Sequence, residues 1–171
     1  MRKEKIQRKT NEVDINGEIV IDGSGKTDIK TGFGPLDHLL TVFAFHGLFD
    51  LTLNATGDLA HHIIEDIGIA LGKAFNQALG DKAGINRYGS FSLVMDKVVV
   101  EVNIDISGRP TLEKKQIQDV VDLSGCFDDT NFTFKNAEEF LESFVHKSGI
   151  RFVYIIKSGV CDVHNRFEAL F

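Results

Sequence analysis

Residues 57–72 read GDLAHHIIEDIGIALG and carry the densest group of side chains able to do chemistry. His61, His62 and Glu65 open an apolar-periodic run whose spacing predicts a helix. On a helix, positions i and i+4 share a face, so His61 and Glu65 project together. His62 lies about 100° around the axis and faces a different neighbour. Two adjacent imidazoles aimed apart suit a segment that serves two metals, or one metal and one substrate. Imidazole with carboxylate suits first-row divalent ions such as zinc, iron or manganese. A His-His pair at a helix start also serves as a cap or a plain surface feature, and spacing alone does not choose.

The remaining histidines are His38, His46, His146 and His164. His38 follows Asp37 inside an apolar helical pattern. It reads either as a polar stripe beside the core, with Asp37 capping, or as a metal ligand oriented by a neighbouring carboxylate. His46 suits the C-terminal end of a helix dipole, and His146 reads as surface. Arg87 (INRYG) and Arg109 (SGRP) are the cations in the most restricted settings. A guanidinium held near a glycine suits bidentate phosphate binding. A strand-end salt bridge fits Arg109 equally well. Glu12 shows no role by spacing alone.

Such side chains need elements to position them. Alternation over 5–15 and 18–21 reads as two strands, with Asn16-Gly17 as the hairpin turn. A short extension follows at 27–30. A helix runs from Pro35 to a Gly47 cap, a strand over 50–55, and a second helix over 61–79. A linker at 80–84 precedes strands at 91–95 and 98–106. An extended segment covers 111–123, a polar loop 125–132, and a helix 137–144. A strand at 151–156, a Ser158-Gly159 turn and a helix from His164 complete the chain.

That order repeats. Ile21-Asp22-x-Ser24-Gly25-Lys26 returns 83 residues later as Ile104-Asp105-x-Ser107-Gly108-Arg109. Gly47, Gly57 and His61-His62-x-x-Glu65 return as Gly149, Gly159 and His164-Asn165-x-x-Glu168. The repeat predicts an α+β fold of internally duplicated half-domains. Residues 1–84 and 85–171 form the two halves of one compact domain. Each half is a mixed four-stranded sheet with two helices packed on one face.

With 171 residues the chain can bury a sizeable core. A net charge of −6 with scattered cations gives no nucleic-acid footprint. No apolar run is long enough to span a membrane. The basic start lacks the apolar stretch of a secretory signal. Cys126 and Cys161 sit in no metal-binding spacing and read as free thiols in a reducing compartment. The expected location is the cytoplasm. Fourteen Phe against two Tyr and no Trp predict a Phe-rich core or subunit interface.

Taken in order, RKTNEVDI at 8–15, IDGSGKTDIKTGFGPLDHLL at 21–40, FHGLFDL at 45–51, HHIIEDIGIALG at 61–72, RYGS at 87–90, MD at 95–96, DISGRP at 105–110 and the closing HNRFEALF resemble the imidazoleglycerol-phosphate dehydratase family of histidine biosynthesis. The resemblance implies a manganese-dependent hydro-lyase with two ions per active site. It implies conversion of imidazole glycerol phosphate to imidazole acetol phosphate and water through a metal-bound imidazolate. It also implies a homo-oligomer of about 24 subunits, with each site shared between chains. Glu12 falls on the catalytic carboxylate. His38, His61, His62, Glu65, His164 and Glu168 fall on metal-ligand positions, and Arg87 and Arg109 on phosphate-binding positions.

The chain departs from that pattern in four places. Leu59-Ala60 replaces a longer acidic approach to the first His-His pair. Asn165 and Val153 stand where the family carries histidines. The family continues beyond Phe171 with a phosphate-binding lysine. A single-metal site, or a non-catalytic homologue that keeps the fold and assembly as a binding protein, is therefore the competing expectation.

Overall fold

The computed structural model describes residues 1–116, 133–158 and 163–171; the side chains of Gln116, Phe134, Val163, His164 and Phe167 fall outside that description. The expected polar loop at 125–132, the second part of the extended segment, Gly159 and both cysteines lie outside the described residues.

The first repeat runs β1 (Lys3–Lys9), β2 (Val13–Val20), β3 (Thr27–Lys30), α1 (Gly34–Gly47), β4 (Asp50–Gly57) and α2 (Ala60–Leu79). The second runs β5 (Tyr88–Met95), β6 (Val98–Asp105), β7 (Thr111–Gln116), α3 (Phe134–Ser148), β8 (Arg151–Ser158) and α4 (Val163–Leu170). The sheets have strand orders β1-β2-β4-β3 and β5-β6-β8-β7, which are the same order under the repeat. In each, two antiparallel pairings precede one parallel pairing, β3 with β4 and β7 with β8. The fold is α+β with duplicated halves, as expected.

Two local expectations are corrected. Asn16-Gly17 is not a hairpin turn: it lies inside β2, opposite Gln7 and Ile6 of β1 and Asn54 and Leu53 of β4. The chain reverses instead at residues 10–12, where the Thr10 hydroxyl accepts from the backbone N–H groups of Glu12 and Val13. Val13, Ile15 and Ile19 are all buried, so the period-2 face continues through Gly17 and pairing on both edges outweighs a two-residue turn. Glycine is needed there because a Cβ would meet the Thr52 carbonyl oxygen at 2.0 Å. The second correction concerns the end of α1. Gly47 stays in the helix, and Leu48 takes the left-handed conformation at φ 55°. Residue 47 is glycine for space instead, since a Cβ there would strike the Phe49 ring at 2.5 Å.

Helix α2 buries Ile64, Ile67, Leu71 and Phe75, about 1.5–3 kcal/mol each. It lies on β1, β2 and β4 and packs along α3 of the other repeat. Gly68 and Gly72 make that approach close: a Cβ on either would stand 2.7 Å from the Phe140 carbonyl or 2.6 Å from that of Phe144. Helix α3 starts with a reciprocal cap between Thr133 and Asn136 and ends on left-handed Gly149. The phenylalanines join the repeats. Phe43, Phe49, Phe75 and Phe144 form a chain of ring contacts at 5.1–5.9 Å.

Candidate active site

Three groups of expected site residues have distinct places in the fold. The first surrounds the N-terminus of α2. His61 and Glu65 are exposed on one helix face, as the spacing predicts. The His61 and His62 rings lie 4.1 Å apart between centroids, inclined at 60°. His62 Nδ1–H donates to Asp58 Oδ1 at 2.7 Å. That hydrogen bond raises the His62 pKa above the usual imidazole value, and the nearby Glu12 carboxylate adds to the effect. The same bond holds Asp58 below the usual carboxylate range. Glu12 stands on the β1–β2 turn, and its carbonyl accepts from the Asp58 backbone N–H at 3.1 Å.

The second group spans the repeats. His38 on α1 meets Glu168 on α4, Nε2 against Oε1. Asp37 does not orient this imidazole. Its carboxylate accepts from the Thr31 backbone N–H at 2.9 Å and from the Thr31 hydroxyl, closing the approach to α1. His164 begins α4, but its side chain is outside the described residues. Among the described residues no three His, Cys, Asp or Glu side chains converge as one metal-sized cluster. One chain thus presents two partial donor sets, at the start of α2 and at the α1–α4 contact.

The third group lies at one end of the second sheet. Arg87 donates from Nε and Nη2 to the two oxygens of Asp105, at 2.6 and 3.1 Å, and its guanidinium carbon is 4.9 Å from the Tyr88 ring centre. The pair lowers the Asp105 pKa and raises that of Arg87. Arg109 is exposed beside left-handed Gly108, and its charge also lowers the Asp105 pKa. Among the described residues Arg109 forms no ion pair, so the strand-end salt bridge is not seen. A cavity of about 470 Å³ opens beside this group, lined by Tyr88, Ser90, Asn103, Asp105, Arg151 and Val153 among others. Asn165, the partner of His164 in the second motif, donates to Asp96 Oδ2 at 2.8 Å.

Sequence reasoning missed Asp58 and Asp105 as the carboxylates that hold His62 and Arg87. Asp58 was visible as the residue four before His62, a helical i,i+4 spacing. Asp105 carried no such local mark, because the contact with Arg87 forms through pairing of β5 with β6.

Residues 31–171 match the sequence pattern of the family described as imidazoleglycerol-phosphate dehydratase. The chain belongs to the imidazoleglycerol-phosphate dehydratase family. It is 45% identical over 175 residues to the imidazoleglycerol-phosphate dehydratase of Thermoanaerobacter pseudethanolicus, covering 100% of this chain and 86% of the relative. The Clostridium botulinum (strain Hall) enzyme of that name is 44% identical over 170 residues, covering 98% and 83%. Among solved structures, the Staphylococcus aureus dehydratase superposes with a TM-score of 0.81 at 32% identity, covering 98% of this chain and 91% of that one. The Pyrococcus furiosus dehydratase, solved in complex with (S)-C348, superposes with a TM-score of 0.78 at 34% identity, covering 96% and 85%. Membership in the imidazoleglycerol-phosphate dehydratase family makes the duplicated fold that of a hydro-lyase of histidine biosynthesis. No described helix is long and apolar enough to cross a membrane.

Proposed function

We propose that this chain dehydrates imidazole glycerol phosphate to imidazole acetol phosphate. The observation that carries the reading is the family match over residues 31–171, with Arg87 and Arg109 about Asp105 and with imidazole–carboxylate pairs at His62–Asp58 and His38–Glu168. The donor chemistry of the two partial sets fits a divalent metal, because each combines imidazole nitrogen with carboxylate oxygen. His61, His62, Glu65 and His164, with His38 and Glu168, would hold manganese. Bound there, the ion would supply Lewis-acid stabilisation of charge on the substrate's imidazole ring. Partial sets on one chain support a homo-oligomer in which neighbouring subunits complete each site.

The chain's own residues have separate tasks. Arg87 and Arg109 bind the substrate phosphate by charge-assisted hydrogen bonds, which fixes the glycerol chain relative to the ring. Asp105 holds the Arg87 fork so that its remaining donors face outward. Glu12, on the turn beside His62, takes the carbon-bound proton as general base. The hydroxyl on the neighbouring carbon takes up a proton, balancing the one Glu12 removed, and leaves as water; the enol that remains tautomerises to the ketone.

A second reading has specific support. Val153 lines the cavity without a donor, and the Asn165 amide is directed to Asp96. Both favour a metal-depleted homologue that keeps the fold. Manganese per subunit and turnover of imidazole glycerol phosphate, measured on the full chain, separate the two. About two ions with turnover supports the dehydratase; one ion or none, with no product, supports the depleted homologue.

A further inference from the structure

We infer that Asp58 is the positioning residue that fixes the tautomer of His62, leaving Nε2 as its outward donor atom. The inference rests on the reading of His62 as a metal or substrate donor. An ionised carboxylate only accepts hydrogen bonds, so the Asp58 Oδ1 contact at 2.7 Å places the ring proton on Nδ1. The lone pair then belongs to Nε2. Ligating imidazoles commonly donate their other N–H to a carboxylate in this way, which sets both tautomer and ring angle.

Three features make Asp58 more than an incidental neighbour. Only Leu59, Ala60 and His61 separate it from His62, so it stands one helical turn before the imidazole. It does not occupy the helix cap, since Leu59 does, in an extended conformation and without a side-chain cap bond. Asp58 Oδ1 accepts instead from the Leu59 backbone N–H at 2.7 Å as well as from the ring. Its own backbone N–H is bound to the Glu12 carbonyl. One residue therefore sets the imidazole relative to the turn that bears Glu12.

The test uses the full chain labelled with ¹⁵N-histidine, under conditions where the imidazole is neutral. Wild type, Asp58→Ala and Asp58→Asn are compared by ring-nitrogen shifts and by manganese titration calorimetry. The Asp58 side chain is 54% exposed, so neither substitution disturbs the core. The wild type is expected to show His62 protonated at Nδ1. Asp58→Ala should move the proton to Nε2 and weaken manganese binding by about 10- to 100-fold. Asp58→Asn keeps an acceptor and should recover most of both. An unchanged His62 tautomer in Asp58→Ala overturns the inference. A wild type that binds no manganese overturns the metal reading of His62, and the ring shifts then decide the role of Asp58 by themselves.

Discussion

His38 of α1 and Glu168 of α4 meet side chain to side chain although 130 residues separate them in sequence. Each repeat contributes one partner, so neither half holds this donor pair alone. If the two act as one ligand set, His38→Ala and Glu168→Ala should remove the same manganese-binding event. Calorimetry should show equal loss of stoichiometry in the two single variants and no further loss in the double variant. Additive losses would assign them to different ions.

Arg87 presents a rigid fork that lysine cannot reproduce. Arg87→Lys should raise KM for imidazole glycerol phosphate by roughly tenfold to a hundredfold, with a smaller fall in kcat. The pair with Asp105 is substantially exposed, so thermal stability should change little. Arg109→Ala should likewise act on KM far more than on melting temperature. Equal loss of both, with substrate affinity intact, would return Arg109 to a structural role.

Gly68 faces the α3 backbone with no room for a methyl group. Gly68→Ala should destabilise the chain by about 1–3 kcal/mol through overpacking, even though alanine favours helices. Chemical denaturation followed by circular dichroism would show it. Gly80→Ala is a different case, because nothing lies within reach of a Cβ there and the residue has φ 56°, so its cost is backbone strain.

Asp50 ties the 24–26 turn to β4, accepting from the backbone N–H groups of Ser24 at 2.7 Å and Lys26 at 3.0 Å. These bonds, the Ser24 one first, lower its pKa in the folded chain. The unfolded state therefore binds this proton more readily. The contribution is present above the ordinary carboxylate pKa and is lost as pH falls through the lowered folded value. Urea midpoints measured against pH should fall on this acid limb, and Asp50→Asn should flatten that part of the curve.

By resemblance to the family, Val153 and Asn165 stand where histidines are expected. Restoring both, as Val153→His with Asn165→His, should raise manganese stoichiometry if loss of ligands alone depleted this half. Unchanged stoichiometry would trace the depletion to some other part of the site.

Much of the architecture was legible because it is written twice. Each Gly-to-Gly interval and each His-x-x-x-Glu ending reports the same helix–strand–helix succession, so the repeat supplied a check that no single stretch offers. The hairpin failed because Asn16-Gly17 is a strong local turn signal, and the pairing of β2 with strands on both sides decides otherwise. The left-handed Leu48 was hidden by a glycine beside it whose purpose is space for Phe49. Within the site, Asp58–His62 is local and could be read from spacing. His38–Glu168 and Arg87–Asp105 depend on contacts between elements, and nothing in the neighbouring residues announces them.

The glycine-lined seam between α2 and α3 also bears on how the two repeats could diverge. Aligned on their left-handed caps, Leu48 and Gly149, helices α1 and α3 place His38 opposite Glu139, and Phe140 is the next residue of α3. Phe140 is buried and stacks on Phe144 at 6.0 Å. Because the seam is held by backbone proximity and phenylalanine rings, imidazoles at the helix ends can be lost from one copy while the partnership of the two copies stays intact.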